Sequence, residues 1–350
     1  MAAARGQAWL RAAPASRPRK YPCDVTNTQN PFAHPVEPAA ESPSEQGQGN
    51  PHPVNPLRGV TIGLDIGGTK THGVRFEDGH PVADDSAGSS NVQNVSRDQA
   101  ARNLAELFGR IGGGHVDRVY AGSGGIDTDE DAAALAALIQ PLVPEALITV
   151  VHDSRLLLAA GRAGTGVAVI AGTGSAAWGR NADGGEARAG GWGYLLGDEG
   201  SGYWLGREAV RHSLRRMNQG LPIDQLTAAL LRSCGLDHPN KLIALFHSPD
   251  TGRRFWAQQA RHVVEAAAAG HQDSAVLLDQ AGRDLAALAG QVLGQLKIDG
   301  PVILGGGLGM NVAPLQESFR RNLAAAGIMD VRVLGQEPVF GVLQLLAEPA

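Results

Sequence analysis

Cysteine is almost missing from this chain: of 350 residues, only Cys23 and Cys234 are cysteine. Two such distant thiols support neither a disulfide framework nor a cysteine-held metal centre, and they fit a reducing, cytoplasmic setting. The 11 histidines show no ligand spacing, so no protein-held zinc is expected. There is no concentrated basic face, and a net charge of −5 speaks against nucleic acid as a partner. No apolar run reaches the roughly 20 residues of a membrane-crossing helix. The long apolar stretch near Leu135 to Val151 is cut by Pro141 and Pro144. Nor does a Gly-Lys-Ser/Thr close any glycine loop, which excludes a P-loop.

What is present is a globular composition, 43% hydrophobic and 19% charged, with a surplus of glycine. The 47 glycines stand in short blocks between apolar runs, where tight turns and close backbone approach to a ligand call for them. The length suits about two domains. Residues 1–56 differ from the rest. They are rich in Pro, Ser, Gln and Asn, lack periodic apolar positions, and carry basic residues but no acid over the first 23 positions. They are expected to be a disordered extension, or the product of a start codon placed too early, rather than a targeting peptide.

From Val60 the pattern changes. Val60 to Ile66 reads as a buried strand, Gly67-Gly68-Thr69 as a turn and Thr71 to Phe76 as a second strand, with an Asp78-Gly79 hairpin turn after it. The same order returns further on: an apolar run at 167–171, the turn Gly172-Thr173-Gly174, a strand at 175–181 and a hairpin turn at 183–185. Two copies in one register predict a duplicated α/β architecture, with domains at 57–160 and 161–335 and a C-terminal helix at 336–350 completing the first. Helices are predicted at 96–111, 205–217, 255–269, 275–296 and 314–326, and strands at 116–121, 148–151 and 302–304.

A turn of small residues aims several backbone N–H groups at one point, and such a concavity binds phosphate. Each turn alone reads equally well as a plain hairpin. Asp65, at the end of the first strand, could hold Mg²⁺ through water. Asp153 follows a strand and precedes the second copy. It could accept a proton in phosphoryl transfer or cap the helix starting near Arg155. The block 190–204 sets Trp192, Asp198, Glu199 and Trp204 among glycines. Aromatic faces and acceptors suit a sugar ring, while tryptophan also suits a core. His72 and His152 adjoin these motifs with no role assigned.

Taken together, GLDIGGTKTHG (63–73), VHDSRLLLAAG (151–161), VIAGTGSAAWG (169–179), GGWGYLLGDEGSGYWLG (190–206) and VILGGGLG (302–309) resemble the N-acetylglucosamine kinase branch of the BadF/BadG/BcrA/BcrD ATPase family. That family lies within the actin–hexokinase–Hsp70 superfamily, and the resemblance spans about residues 58–346. It implies an α/β fold of two similar actin-like (ribonuclease H-like) domains with an interdomain cleft. It further implies ATP and Mg²⁺ as cofactors, a homodimer, and phosphorylation of N-acetylglucosamine at the 6-hydroxyl.

On the same resemblance, Gly67, Gly68, Thr69 and Lys70 form a first phosphate motif, and Gly172, Thr173, Gly174 and Ser175 a second. Gly305, Gly306 and Gly307 match an adenosine motif, and Asp153 the catalytic base. Asn91, Gly191, Trp192, Gly193 and Asp198 match sugar-binding positions, with the loop 122–127 nearby. His152-Asp153-Ser154 departs from the commoner Asn-Asp-Ala or Thr-Asp-Ala, and Ala189 and Tyr194 fill variable positions. Glucosamine kinases share the framework, so glucosamine is the alternative substrate. An ATPase activator of a radical dehydratase would need cysteines for a cluster. A sugar sensor would need a DNA-binding helix-turn-helix, for which 1–56 lacks helical periodicity.

Overall fold

The computed structural model describes residues 57–126 and 128–347. Cys23, the expected extension 1–56, Asp127 of the 122–127 loop and the end of the predicted 336–350 helix lie outside the described residues.

The first half opens with three antiparallel strands, β1 (Val60–Ile66), β2 (Lys70–Glu77) and β3 (His80–Gly88). Ile62, Leu64 and Ile66 are fully buried, as expected of an apolar strand covered on both faces. Asp78 and Gly79 both take positive φ at the β2–β3 turn, the geometry a two-residue hairpin prefers. Helix α1 (Arg97–Ile111) is capped by Ser96 and buries Leu104, Leu107, Phe108 and Ile111, the face its periodicity predicts. Strand β4 (Arg118–Ser123), helix α2 (Asp129–Ile139) and strand β5 (Leu147–His152) follow, and then helix α3 (Asp153–Ala160). The sheet order is β3-β2-β1-β4-β5, with β4 parallel to β1 and to β5.

The second half repeats the plan with β6 (Gly166–Ala171), β7 (Ser175–Arg180) and β8 (Glu186–Gly190). A helical layer comes next: α4 (Gly202–Asn218), α5 (Gln225–Cys234), α6 (Lys241–Phe246), α7 (Arg253–Gln258), α8 (Ala260–Ala268) and α9 (Gln272–Leu296). The half closes with β9 (Val302–Gly305), α10 (Gly307–Asn311), α11 (Ala313–Ala325) and β10 (Val331–Val333), and α12 (Val342–Ala347) ends the described chain. Its sheet order is β10-β9-β6-β7-β8, so β6 stands where β1 does, β9 where β4 does and β10 where β5 does. The repeat seen in the turn spacing is a repeat of topology. The predicted helix 255–269 is two helices. It breaks at Gln259, whose buried amide donates to the Phe255 carbonyl at 3.0 Å and accepts from Ser233 Oγ at 2.9 Å.

Helix α3 has no polar face, because it is a wedge. Leu157 and Leu158 pack with Trp178 and Ile303 of the second sheet, while Leu156 and Ala159 pack with Val342 and Leu345 of α12. Burying each leucine contributes about 2 kcal/mol. Gly341 lies so close that a Cβ there would stand 2.2 Å from the Leu156 carbonyl oxygen. The segment before α12 returns to the first sheet, where Val339 packs with Val74 and Phe76, and Phe340 meets Phe76 edge-on. The first residue of the wedge is Asp153. No described helix is long and apolar enough to cross a membrane.

Candidate functional site

Strand register sets the first group of residues. Ile66 pairs with Ser123, and Ser123 with His152. The next residues, Gly67, Gly124 and Asp153, therefore share the C-terminal edge of three adjacent strands, the edge where open α/β sheets bind ligands. The first turn is closed by Gly67 N–H donating to the Lys70 carbonyl at 2.9 Å. Ser89 Oγ donates to the Gly67 carbonyl at 2.8 Å, and Asn103 holds the Ser89 carbonyl. Asn91 Nδ2 donates to the Gly124 carbonyl at 2.9 Å, and its Oδ1 accepts the Gln93 amide. A Cβ on Gly124 would stand 3.1 Å from Asp153 Oδ2 and 3.7 Å from Asn91 Nδ2. Asn91, Gly124 and Asp153 thus line one cradle that a side chain would fill.

The capping alternative for Asp153 is corrected by the structure. The cap of α3 is His152, whose Nδ1 accepts the Ser154 amide, and Asp153 is the first helical residue. His152 Nδ1 lies 3.1 Å from Asp153 Oδ1, but that nitrogen is already an acceptor, so the buried Oδ1 has no donor. The His152 ring stacks on Trp178 of the second half, with centroids 6.2 Å apart. That contact fixes the start of α3 from both sides.

Asp65 is the most perturbed acid of this edge. Burial pushes its carboxyl up to about 7, and the negative charges of Asp153 and Glu337 add to this against the partial relief of Lys70. Glu337 belongs to no sequence motif. The returning C-terminal segment delivers it, and it sits 3.5 Å from Lys70 Nζ and 3.9 Å from His72 Nδ1. His72, whose Nε2 is 2.6 Å from Asp84 Oδ1, stands between Asp84 and Glu337. A carboxylate raised by burial and like charge, with only the partial relief of Lys70, favours a nearby cation, and hard oxygen donors suit Mg²⁺. Asp65, with Asp153 and Glu337 nearby, fits that ion.

The second group forms around the repeated turn. Gly172 N–H donates to the Gly174 carbonyl at 2.9 Å, and the first amides of α4 bond the Gly172 and Thr173 carbonyls. Ser175 N–H donates to Asp198 Oδ1 at 3.1 Å, and Ser175 Oγ to the Glu199 carbonyl. Asp198 is only 2% exposed, and its Oδ2 meets Arg253 Nη2 at 2.8 Å. It is therefore anchored to the second turn. Arg253, 55 residues away, is a partner the motif does not contain. Gly305 pairs with Ile170, and Gly306, at φ 82°, lies against the Ala171 backbone. The two glycine motifs of this half are neighbours.

The loop of Trp192 and Gly193 adjoins the second group: Gly191 N–H donates to the Ser175 carbonyl at 3.1 Å and the Gly193 carbonyl accepts the Gly197 amide at 2.8 Å. Trp192 is 61% exposed, with the Arg188 guanidinium 4.9 Å from its ring centroid. Gly191 and Gly193 flank it at positive φ. Trp204, by contrast, is core. Cys234 is half-buried against the same core.

Known proteins resemble this chain in sequence and fold. Residues 62–333 match the BadF/BadG/BcrA/BcrD ATPase family. An N-acetylmuramic acid/N-acetylglucosamine kinase of Clostridium acetobutylicum is 30% identical over 273 residues, covering 75% of this chain and 89% of its own. An N-acetyl-D-glucosamine kinase of Dictyostelium discoideum is 31% identical over 258 residues, covering 69% and 81%. Among solved structures, a candidate N-acetylglucosamine kinase from Chromobacterium violaceum superposes with a TM-score of 0.65 at 26% identity, covering 83% of this chain and 99% of that one.

Proposed function

This chain belongs to the BadF/BadG/BcrA/BcrD ATPase family, and we propose that it is a sugar kinase transferring the terminal phosphoryl group of ATP to the 6-hydroxyl of N-acetylglucosamine. The reading rests above all on Asp153. Its buried Oδ1 has no donor, it lies at the C-terminal edge of the first sheet, and it shares a cradle with Asn91 and Gly124.

Phosphoryl transfer asks a protein for position and charge more than for covalent chemistry. The sugar hydroxyl attacks the terminal phosphorus, the bond to the ADP oxygen breaks, and the hydroxyl proton passes to Asp153. Helix α3 holds that carboxylate still, because the wedge is packed on two faces and its start is fixed by the His152 cap and the His152–Trp178 stack. Asn91 and Gly124 border the sugar. The amides of Gly68, Thr69, Thr173 and Gly174, which the turn bonds do not take up, face the phosphates, and Gly305 to Gly307 the adenosine. Mg²⁺ held by Asp65 through water would neutralise phosphate charge. Trp192 and its glycines supply an apolar face to the sugar loop, while Asp198 keeps the second turn in shape.

The test is a panel of N-acetylglucosamine, glucosamine, N-acetylmuramic acid and glucose with ATP and Mg²⁺, read as ADP release, with the product's phosphate position assigned by NMR. N-acetylglucosamine 6-phosphate is the expected product. Faster turnover of glucosamine would overturn the choice of the acetamide, and turnover of no sugar would overturn the kinase.

A further inference from the structure

His212, Asp224, His271 and Asp273 are scattered in sequence, yet the helical layer of the second half brings them to one point. His212 lies on α4, Asp224 caps α5, His271 caps α9, and Asp273 stands in the first turn of α9. The Nε2 atoms of His212 and His271 lie 2.6 and 3.0 Å from one and the same oxygen, Asp224 Oδ2. His212 Nδ1 is 3.8 Å from Asp273 Oδ2, and the two imidazoles meet edge to face at 5.6 Å. One ligand atom from each of the four residues lies within 4.8 Å of every other. Because the histidines are 12 and 47 residues from Asp224, spacing along the chain hides the group.

Two nitrogen and two carboxylate-oxygen donors from three helices form a set that a tetrahedral ion uses. Bonds of about 2.0–2.2 Å place such ligand atoms roughly 3.3–3.6 Å apart, which side-chain shifts of about 1 Å would reach. The outer partners are in place. His271 Nδ1 accepts the Ser274 amide at 3.2 Å as the cap of α9, so ligation through Nε2 requires the ring proton to move to Nδ1, where Ser274 Oγ at 2.8 Å can accept it in place of that cap bond. Asp224 Oδ1 is held by the Thr227 amide, which leaves Oδ2 facing the imidazoles. His212 is more than nine-tenths buried and aimed into the group, while Asp273, 59% exposed, opens it to solvent. Arg216 Nε stands 3.1 Å from Asp224 Oδ2, and its Nη2 donates to the Pro222 carbonyl at the exposed rim. It supports the ionised carboxylate from outside.

The geometry points to a structural site for a divalent ion of the zinc class that staples α4, α5 and α9 together. Two imidazoles select such an ion over Mg²⁺ or Ca²⁺, which prefer all-oxygen sites. None of the four residues belongs to the groups proposed for catalysis. The competing arrangement is metal-free, with both imidazoles donating to Asp224 and Arg216 paired with it by charge.

Full-length protein stripped with a chelator and titrated with ZnCl₂, by calorimetry and by thermal melting, separates the two. The expected result is one equivalent bound and a Tm raised by several degrees, as binding to the native state alone requires. His271→Asn keeps a good helix cap while removing the imidazole, and it should abolish both effects. Asp273→Asn, at the exposed edge, should weaken binding about tenfold, within the range for losing one ligand or its outer partner. No binding by the unaltered chain, or undiminished binding in both variants, would overturn the site.

Discussion

Asp65 and Asp153 lie within electrostatic reach of one another, and the charge of Asp153 adds to burial in holding the Asp65 carboxyl at about 7. A cation-free chain therefore carries a stability cost. In the unfolded chain Asp65 loses its proton near 3.8, while in the folded chain it keeps it to about 7. Between those values the native state binds more protons, so stability falls as pH rises, and above about 7 the loss is complete. The full effect is at most about 4 kcal/mol. Asp65→Asn should thus melt higher than the unaltered chain at pH 8 in EDTA, and equally at pH 5, while losing most of kcat/KM with Mg-ATP. Equal melting at pH 8 would show that Asp65 is not strained.

Replacing Asp153 probes the other partner. Asp153→Asn should lower kcat by at least about 10²-fold, as loss of a general base does, with ATP binding kept. Melting should change little, because Asp153 does not cap α3. His152→Ala should show the reverse balance, costing about 1 kcal/mol for the lost cap and less in kcat than Asp153→Asn. A loss under tenfold in Asp153→Asn would remove it from proton transfer.

Much of this was legible in the sequence, and the limits have physical reasons. Both glycine turns and the doubled strand order follow from local patterns, since turn chemistry and strand alternation act within a few residues. Asp65 and Asp153 could be picked out because each stands at a strand end. Glu337 and Arg253 could not. Glu337 reaches the site only because the chain returns past Val339 to pack on Phe76, and Arg253 only because α7 packs against α4. The capping question was decided by one imidazole, His152, since histidine caps are rarer than aspartate caps and Ser154 Oγ helps to hold this one. The resemblance matches Trp192, and not Trp204, to a sugar-binding position; Trp204 is buried in the core and Trp192 exposed.

Two glycines separate ligand approach from backbone need. A Cβ on Gly172 would meet nothing within 4 Å, and the residue has no positive φ, so Gly172→Ala should leave stability within about 0.5 kcal/mol. It should still raise KM for ATP, about tenfold, by filling the space a phosphate approaches. Gly306 differs: at φ 82°, a Cβ would stand 2.6 Å from the Ala171 carbonyl oxygen. Gly306→Ala should cost about 1–3 kcal/mol from the strained conformation alone. Denaturant melts beside ATP titrations check both, and an unchanged KM in Gly172→Ala would assign that turn to structure only.

Arg253 and Asp198 offer the sharpest test of the second turn. Asp198 is buried and Arg253 is its cation, so Arg253→Ala leaves a carboxylate without its counter-charge. A fully buried pair broken in this way costs about 3–5 kcal/mol. Here the Arg253 side chain is 31% exposed, and its removal lets water reach Asp198, so about 1–3 kcal/mol is expected. Asp198→Asn in the same chain removes the stranded charge while its amide oxygen can still accept the Ser175 N–H. The double variant should therefore be more stable than Arg253→Ala alone, a coupling measurable by urea unfolding of all four chains. If the second substitution lowers stability further, Asp198 is held by something other than Arg253, and the anchoring of the turn must be assigned elsewhere.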